Sequence, residues 1–212
     1  MKKYSLLIFD WDGTLVDSES FAVAALQRTA ADFNYPIPSA EEIDENFGLR
    51  LENLLQKFFP GEYQQELAQA FYKHFSEEEL ATNFFTGALE TLNYLKEQGF
   101  ILSVATNRSR TKLNAALKTA DIEDLFAATR CPEDAAPKPA PGMLLTLLDE
   151  FNLSPRSALM IGDTIYDMQF ANNAAVDALA VCYGHRKKDQ FIPFNPIGFI
   201  EKIEDLKYIL SN

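Results

Sequence analysis

The apolar run SLLIF, residues 5 to 9, ends on Asp10, and Asp12 and Gly13 follow directly. Ionised carboxylates at the end of a buried strand are costly unless paired, hydrated or bound to a metal, so this strand end predicts a use for negative charge. The spacing aims Asp10 and Asp12 toward one side if extended geometry persists. One could then attack as a nucleophile while its neighbour moves a proton.

Other apolar runs end on polar groups of complementary kinds. Thr106 and Asn107 follow FILSVA (100 to 105), Lys138 lies in the loop after LFAATRC (125 to 131), and Asp163 and Asp167 follow SALMIG (157 to 162). In an open parallel sheet, ligands bind beyond the carboxyl ends of the strands, so these segments converge on one edge. Asp10 with Asp163 makes an oxygen site suited to Mg²⁺, which takes one or two carboxylates, waters and a substrate phosphate. The Thr106 hydroxyl and nearby backbone N–H groups suit phosphate oxygens, and Lys138 adds positive charge against developing negative charge. Phosphoryl transfer to an aspartate is the chemistry that uses every part.

The elements that must position these groups follow from periodicity. The apolar runs at 5–9, 100–105, 157–162 and 178–182, with a weaker one at 125–131, alternate with helical patterns at 86–99, 109–120, 141–152 and 164–175. That alternation predicts an α/β fold with a Rossmann-like three-layer core around a parallel sheet. Gly99 reads as the stop of the first of these helices, and Pro141 as lying in the first turn of the third. Residues 17–85 break the rhythm with amphipathic patterns and no strand signal. They predict an inserted α-helical domain, leaving 1–16 and 86–212 as the core domain.

DWDGTLVDS (10–18), VATN (104–107), KPAP (138–141) and GDTIYD (162–167), in this order, resemble the motifs of haloacid dehalogenase superfamily phosphatases. The resemblance spans nearly the whole core and implies that the inserted helical domain is a cap. It implies Asp10 as nucleophile, Asp12 as general acid and then base, Thr106 as phosphate ligand and Lys138 as charge stabiliser. It further implies Mg²⁺ held by Asp10, Asp163 and the backbone carbonyl of Asp12, with Asp167 supporting the metal's waters. Asp12 favours phosphate esters over dehalogenation or phosphonate cleavage, because those relatives lack an aspartate there. The chain is most similar to the phosphoglycolate phosphatase-like group, and FGLR (47–50) falls where the cap's substrate loop would lie. Asn107 and Arg50 complete the candidate substrate-binding residues. One departure is ANNAAVDA (171–178), where relatives usually carry a glycine after the asparagine and alanine.

Singly, each group has a plainer reading. Thr106 with Asn107 could cap a helix, Lys138 could be a solvated loop lysine, and Asp163 with Asp167 could be first-turn acids favoured by a helix dipole. A calcium loop at Asp10 fails, lacking an acid or amide near Thr14, a glycine near Leu15 and a glutamate near Phe21. His74, among aromatics in a helical stretch, reads as structural, and His185 as a surface-loop residue. The phenylalanines at 58, 59, 71, 75, 84 and 85 read as packing in the helical domain. No nucleotide-loop, dinucleotide, serine-hydrolase or zinc-protease motif is present in the 212 residues.

A formal net charge of -12 argues against nucleic acid or an anionic membrane as partner and leaves a small phosphorylated metabolite, held through local cations or a metal. The first apolar run is too short for a signal-peptide core, and none approaches transmembrane length. Cys131 and Cys182 read as reduced core residues of a cytoplasmic protein. The leading expectation is a Mg²⁺-dependent phosphatase of small phosphomonoesters. A phosphomutase resembling β-phosphoglucomutase, or a non-catalytic phosphate-binding regulator on the same fold, are the alternatives.

Overall fold

The computed structural model describes residues 3–44, 46, 51–61, 64–79, 83–183 and 187–210. In chain order the elements are β1 (Leu6–Phe9), α1 (Ser18–Asp32), α2 (Ala40–Asp44), α3 (Leu51–Phe58), α4 (Gln64–Glu79) and α5 (Ala88–Glu97). They continue as β2 (Ile101–Ala105), α6 (Arg110–Thr119), β3 (Ala128–Arg130), α7 (Gly142–Glu150), β4 (Ala158–Gly162) and α8 (Ile165–Asn173), ending with β5 (Asp177–Val181), β6 (Gly198–Ile200) and α9 (Asp205–Ile209). The chain divides into two compact units, residues 1–17 with 84–212, and residues 18–83.

The first unit is built on a six-stranded parallel sheet of order β3-β2-β1-β4-β5-β6. Strand β1 is central because all four of its residues are apolar and buried. It pairs Leu6 with Ile101 on one side and with Ala158 on the other. Alternation sends Leu6, Ile8 and Met160 into one core with Met143, Leu144 and Leu147 of α7 and Met168 and Phe170 of α8. The intervening residues Leu7, Phe9, Leu102, Val104, Leu159 and Ile161 are equally buried and face the opposite layer, where α5 packs on β2. Helices therefore cover both faces, as the continuous apolar strands require.

Helix α5 buries Ala88, Thr91, Leu92 and Leu95, a stripe at helical spacing. It ends as predicted on Gly99, at φ 81°. There the N–H groups of Gly99 and Phe100 donate to the carbonyls of Lys96 and Leu95, closing the last turn. Helix α8 ends the same way, with Ala175 and Val176 donating to Asn172 and Ala171, but Ala175 occupies the left-handed position at φ 55°. This is the turn in ANNAAVDA (171–178) at which the family resemblance leads one to expect glycine.

The sequence did not announce β6 or α9, and β3 takes only three residues of its apolar run, whose first residue, Leu125, closes a 3-10 turn.

The unit of residues 18–83 has its own core of Ala25, Leu26, Ile43, Leu55, Phe59 and Phe71, with Phe58 and Phe75 packed against it. His74 is buried there and its Nε2 lies 2.7 Å from Asp32 Oδ2, a structural pairing. Phe84 and Phe85, read from sequence with the helical segment, pack instead within the α/β unit. Phe84 lies edge-on to Trp11 and Phe85 to Tyr183, because the chain has already returned beside the turn after β1, where Phe84 pairs with Val16 in an isolated antiparallel bridge. Among the described residues no helix is long and apolar enough to cross a membrane.

Candidate active site

Asp10 stands one residue beyond β1, its amide donating to Ile161 of β4 at 2.9 Å. The strand does not continue to Asp12. From Trp11 the chain turns, with Leu15 and Val16 both donating to the Trp11 carbonyl and Gly13 at φ 72°. The expectation that extended geometry aims both aspartates alike is therefore corrected. Trp11 is fully buried and anchors the turn, and the two carboxylates acquire different neighbours.

Asp10 Oδ1 accepts from the Trp11 N–H at 2.7 Å and lies 2.8 Å from Lys138 Nζ. The same ammonium donates to Asp167 Oδ1 at 2.7 Å. Asp163, directly after β4, accepts from the Thr14 hydroxyl at 2.8 Å. Asp10, Asp163 and Asp167 are all buried and can place carboxylate oxygens within 4.8 Å of one another. Burial, and then the neighbouring Asp167, push the Asp10 carboxyl well above its ordinary range, with Lys138 opposing and Asp163 adding to the rise. Burial works against the Lys138 ammonium, yet Asp10 and Asp167 outweigh it and hold Lys138 above its usual value.

Three buried carboxylates are thus gathered beside the Lys138 ammonium. The donors are all hard oxygens, one from the turn after β1 and two from the stretch that runs from the end of β4 into α8, which fits a divalent cation of the Mg²⁺ kind.

Asp167 also serves α8. Its Oδ2 accepts from the Thr164 N–H at 3.0 Å and hydroxyl at 2.6 Å, while its own N–H returns to Thr164 Oγ1, a capping box. The plainer reading of Asp167 as a first-turn acid is thus part of its role. Its second oxygen is what reaches Lys138. Gly162 makes this close approach feasible, since a Cβ there would lie 2.4 Å from Asp167 Cγ.

Thr106 follows β2, buried, with its N–H donating to Arg130 at 3.1 Å and its Oγ1 accepting the Arg108 N–H at 3.1 Å. Asn107 holds the backbone of Lys138 from both sides. Its Oδ1 accepts the Lys138 N–H at 2.9 Å and its Nδ2 donates to the Lys138 carbonyl at 3.4 Å. The amide expected among the phosphate ligands thus also seats the lysine. Lys138 itself is buried rather than solvated, with its ammonium 5.6 Å from the Phe170 ring centre.

Asp12 is gripped by Arg108, whose Nε donates to Oδ2 at 3.1 Å and whose Nη2 donates to Oδ1 at 2.5 Å. Sequence reasoning missed Arg108 and Thr14. An arginine two residues after Thr106 was the available signal for the first, and a hydroxyl inside the aspartate turn for the second. Arg50 and His185 lie outside the described residues.

Residues 7–181 match the family model described as haloacid dehalogenase-like hydrolase. Among similar curated proteins are "Probable phosphatase IndB" of Dickeya dadantii (strain 3937), 29% identical over 95% of this chain and 91% of its own length, and a phosphoglycolate phosphatase of Mannheimia succiniciproducens, 28% identical over 98% and 99%. The crystal structure of a HAD-superfamily hydrolase from Geobacter sulfurreducens PCA is 25% identical, with TM-score 0.81 over 99% of this chain and 97% of that one.

Proposed function

The chain belongs to the haloacid dehalogenase-like hydrolases, and from that premise we propose that it hydrolyses a small phosphomonoester through a phosphoryl group carried on Asp10. The observation that carries this reading is Lys138, whose buried ammonium lies 2.8 Å from Asp10 and 2.7 Å from Asp167. Two acids, with Asp163 brought alongside, make a site built to hold and neutralise concentrated negative charge.

In the reaction we infer, an oxygen of Asp10 attacks phosphorus and the bond from phosphorus to the ester oxygen breaks. Asp12 delivers a proton to that leaving oxygen, so the alcohol departs neutral. Water then attacks the phosphorus, Asp12 accepts its proton, and the bond to Asp10 breaks to release inorganic phosphate. Thr106 binds a phosphoryl oxygen, Lys138 balances charge on the transferring group, and Asn107 seats Lys138 through its backbone. Asp10, Asp163 and the Asp12 carbonyl would hold Mg²⁺, with Asp167 behind it, and the ion when bound supplies charge neutralisation to the phosphoryl oxygens.

The relatives named as phosphatases support the reaction class. We assign choice of ester to the helical unit of residues 18–83, acting as the cap domain. Cys131 and Cys182 are both buried thiols outside any disulfide, which supports a reducing, cytoplasmic setting.

The test is inorganic phosphate release from a panel of small phosphomonoesters with and without Mg²⁺. Metal-dependent release supports the reading. Isomerisation of a sugar phosphate without phosphate release would replace it with a phosphomutase.

A further inference from the structure

We propose that Arg108 is a positioning residue for Asp12, presenting its carboxylate as the oriented acceptor that draws a proton from the hydrolytic water. This rests on the phosphatase reading and concerns its second half.

The geometry has three parts. The guanidinium meets the carboxylate with two donors on two oxygens, a fork that fixes the plane of the Asp12 side chain as a single contact could not. The arginine is the fixed member, since its side chain is 5% exposed against 38% for Asp12, so the rim carboxylate is oriented by a partner seated in the protein. The backbone of Arg108 is in turn tied to Thr106 Oγ1 at 3.1 Å, which registers the fork against the residue assigned to the phosphoryl oxygen. A base oriented by a third group, itself keyed to the reacting centre, is the arrangement by which a proton acceptor is held at a useful angle.

The two halves of the reaction place different demands on the pair. With both oxygens accepting from Arg108, Asp12 is presented as an acceptor. That suits removal of a proton from water and does nothing for delivery of one to a leaving group. Loss of the fork therefore slows hydrolysis of the phosphorylated Asp10 more than its formation. An ester such as para-nitrophenyl phosphate, whose leaving group needs no proton, isolates the effect, because its first half is independent of Asp12.

The experiment is rapid-quench and steady-state turnover of para-nitrophenyl phosphate with Mg²⁺ by the wild-type chain, Arg108→Met, Arg108→Lys, Asp12→Asn and the double variant Arg108→Met with Asp12→Asn. Methionine keeps an unbranched apolar stem, and lysine keeps the charge without the fork, so either serves if the other folds poorly. We expect Arg108→Met to release a burst of para-nitrophenol, accumulate phosphorylated enzyme and lose roughly 10- to 100-fold in steady-state rate. Arg108→Lys should recover only part of that loss. The double variant should be no slower than Asp12→Asn alone, because a residue acting through Asp12 has no effect once Asp12 is gone. The same fold-loss in both backgrounds, or a burst phase slowed as much as the steady state, overturns the proposal and makes Arg108 a direct substrate ligand. Failure of the phosphatase reading looks different: the wild-type chain then gives neither burst nor phosphate, and the proposal falls with it.

Discussion

A carbon added at Gly162 would lie 2.4 Å from Cγ of Asp167, so the last residue of β4 and the acid five positions later occupy a space that admits no side chain. This proximity lets Asp167 close the capping box with Thr164 through one oxygen and receive Lys138 through the other. Replacement of Gly162 by alanine should displace the Asp167 carboxylate and loosen Lys138. We expect a loss of about 1–3 kcal/mol in stability, from overpacking, together with most of the turnover. Thermal denaturation and phosphate release on the same preparation read both.

Ala175 predicts the opposite sign. It takes φ 55° to close helix α8, a conformation that costs a residue with a Cβ about 1 kcal/mol or more. Ala175 is exposed and makes none of the contacts described for the acids or Lys138, so Ala175→Gly should raise stability by about 0.5–1 kcal/mol, after glycine's added unfolded-state entropy is subtracted, with turnover unchanged. Urea denaturation reports this as a higher midpoint at constant slope.

Lys138 neutralises two buried acids, so its removal strands them. Lys138→Met should cost about 3–5 kcal/mol at neutral pH, the range for breaking a buried ion pair, and abolish turnover. Lowering the pH should return part of the lost stability, since protonating a carboxylate does what the missing ammonium did.

Asp10 makes a contribution of definite sign to the pH dependence of the metal-free protein. Its carboxyl is held above the ordinary range by burial and by Asp167, so the folded chain takes up this proton more readily than the unfolded chain. Stability from this group is therefore retained below its ordinary carboxylate value and lost as pH rises through the raised one. This contribution should raise the melting temperature as pH falls through the raised value, an effect that Asp10→Asn removes. Mg²⁺ should raise the melting temperature at neutral pH in a concentration-dependent way and be reversed by chelation.

The fold was readable where burial leaves a mark on the sequence. Strands β1, β2, β4 and β5 are buried parallel strands and therefore continuous apolar runs, whereas β6 is three residues containing Gly198 at the sheet edge and carries no such signature. Asp10, Lys138, Asp163 and Asp167 could be gathered in advance because three of them closely follow apolar runs and the fourth lies in the loop after another. What stayed hidden was pairing across the chain. Arg108 meets Asp12 from 96 residues away and Thr14 meets Asp163 from 149, and the local signals, an arginine just after Thr106 and a hydroxyl in the aspartate turn, do not say which acid each would meet. Asn107 was visible as a polar residue at a strand end, but its use in clamping the Lys138 backbone depends on where a separate loop folds back.

The most direct measurement compares phosphate release by the wild-type chain and Asp10→Asn across the same panel of phosphomonoesters with Mg²⁺, with mass spectrometry of the acid-quenched protein to find the phosphorylated peptide. The account predicts metal-dependent release by the wild type, a phosphoryl group on the peptide carrying Asp10, and loss of both in the variant. Wild-type turnover by Asp10→Asn would contradict it.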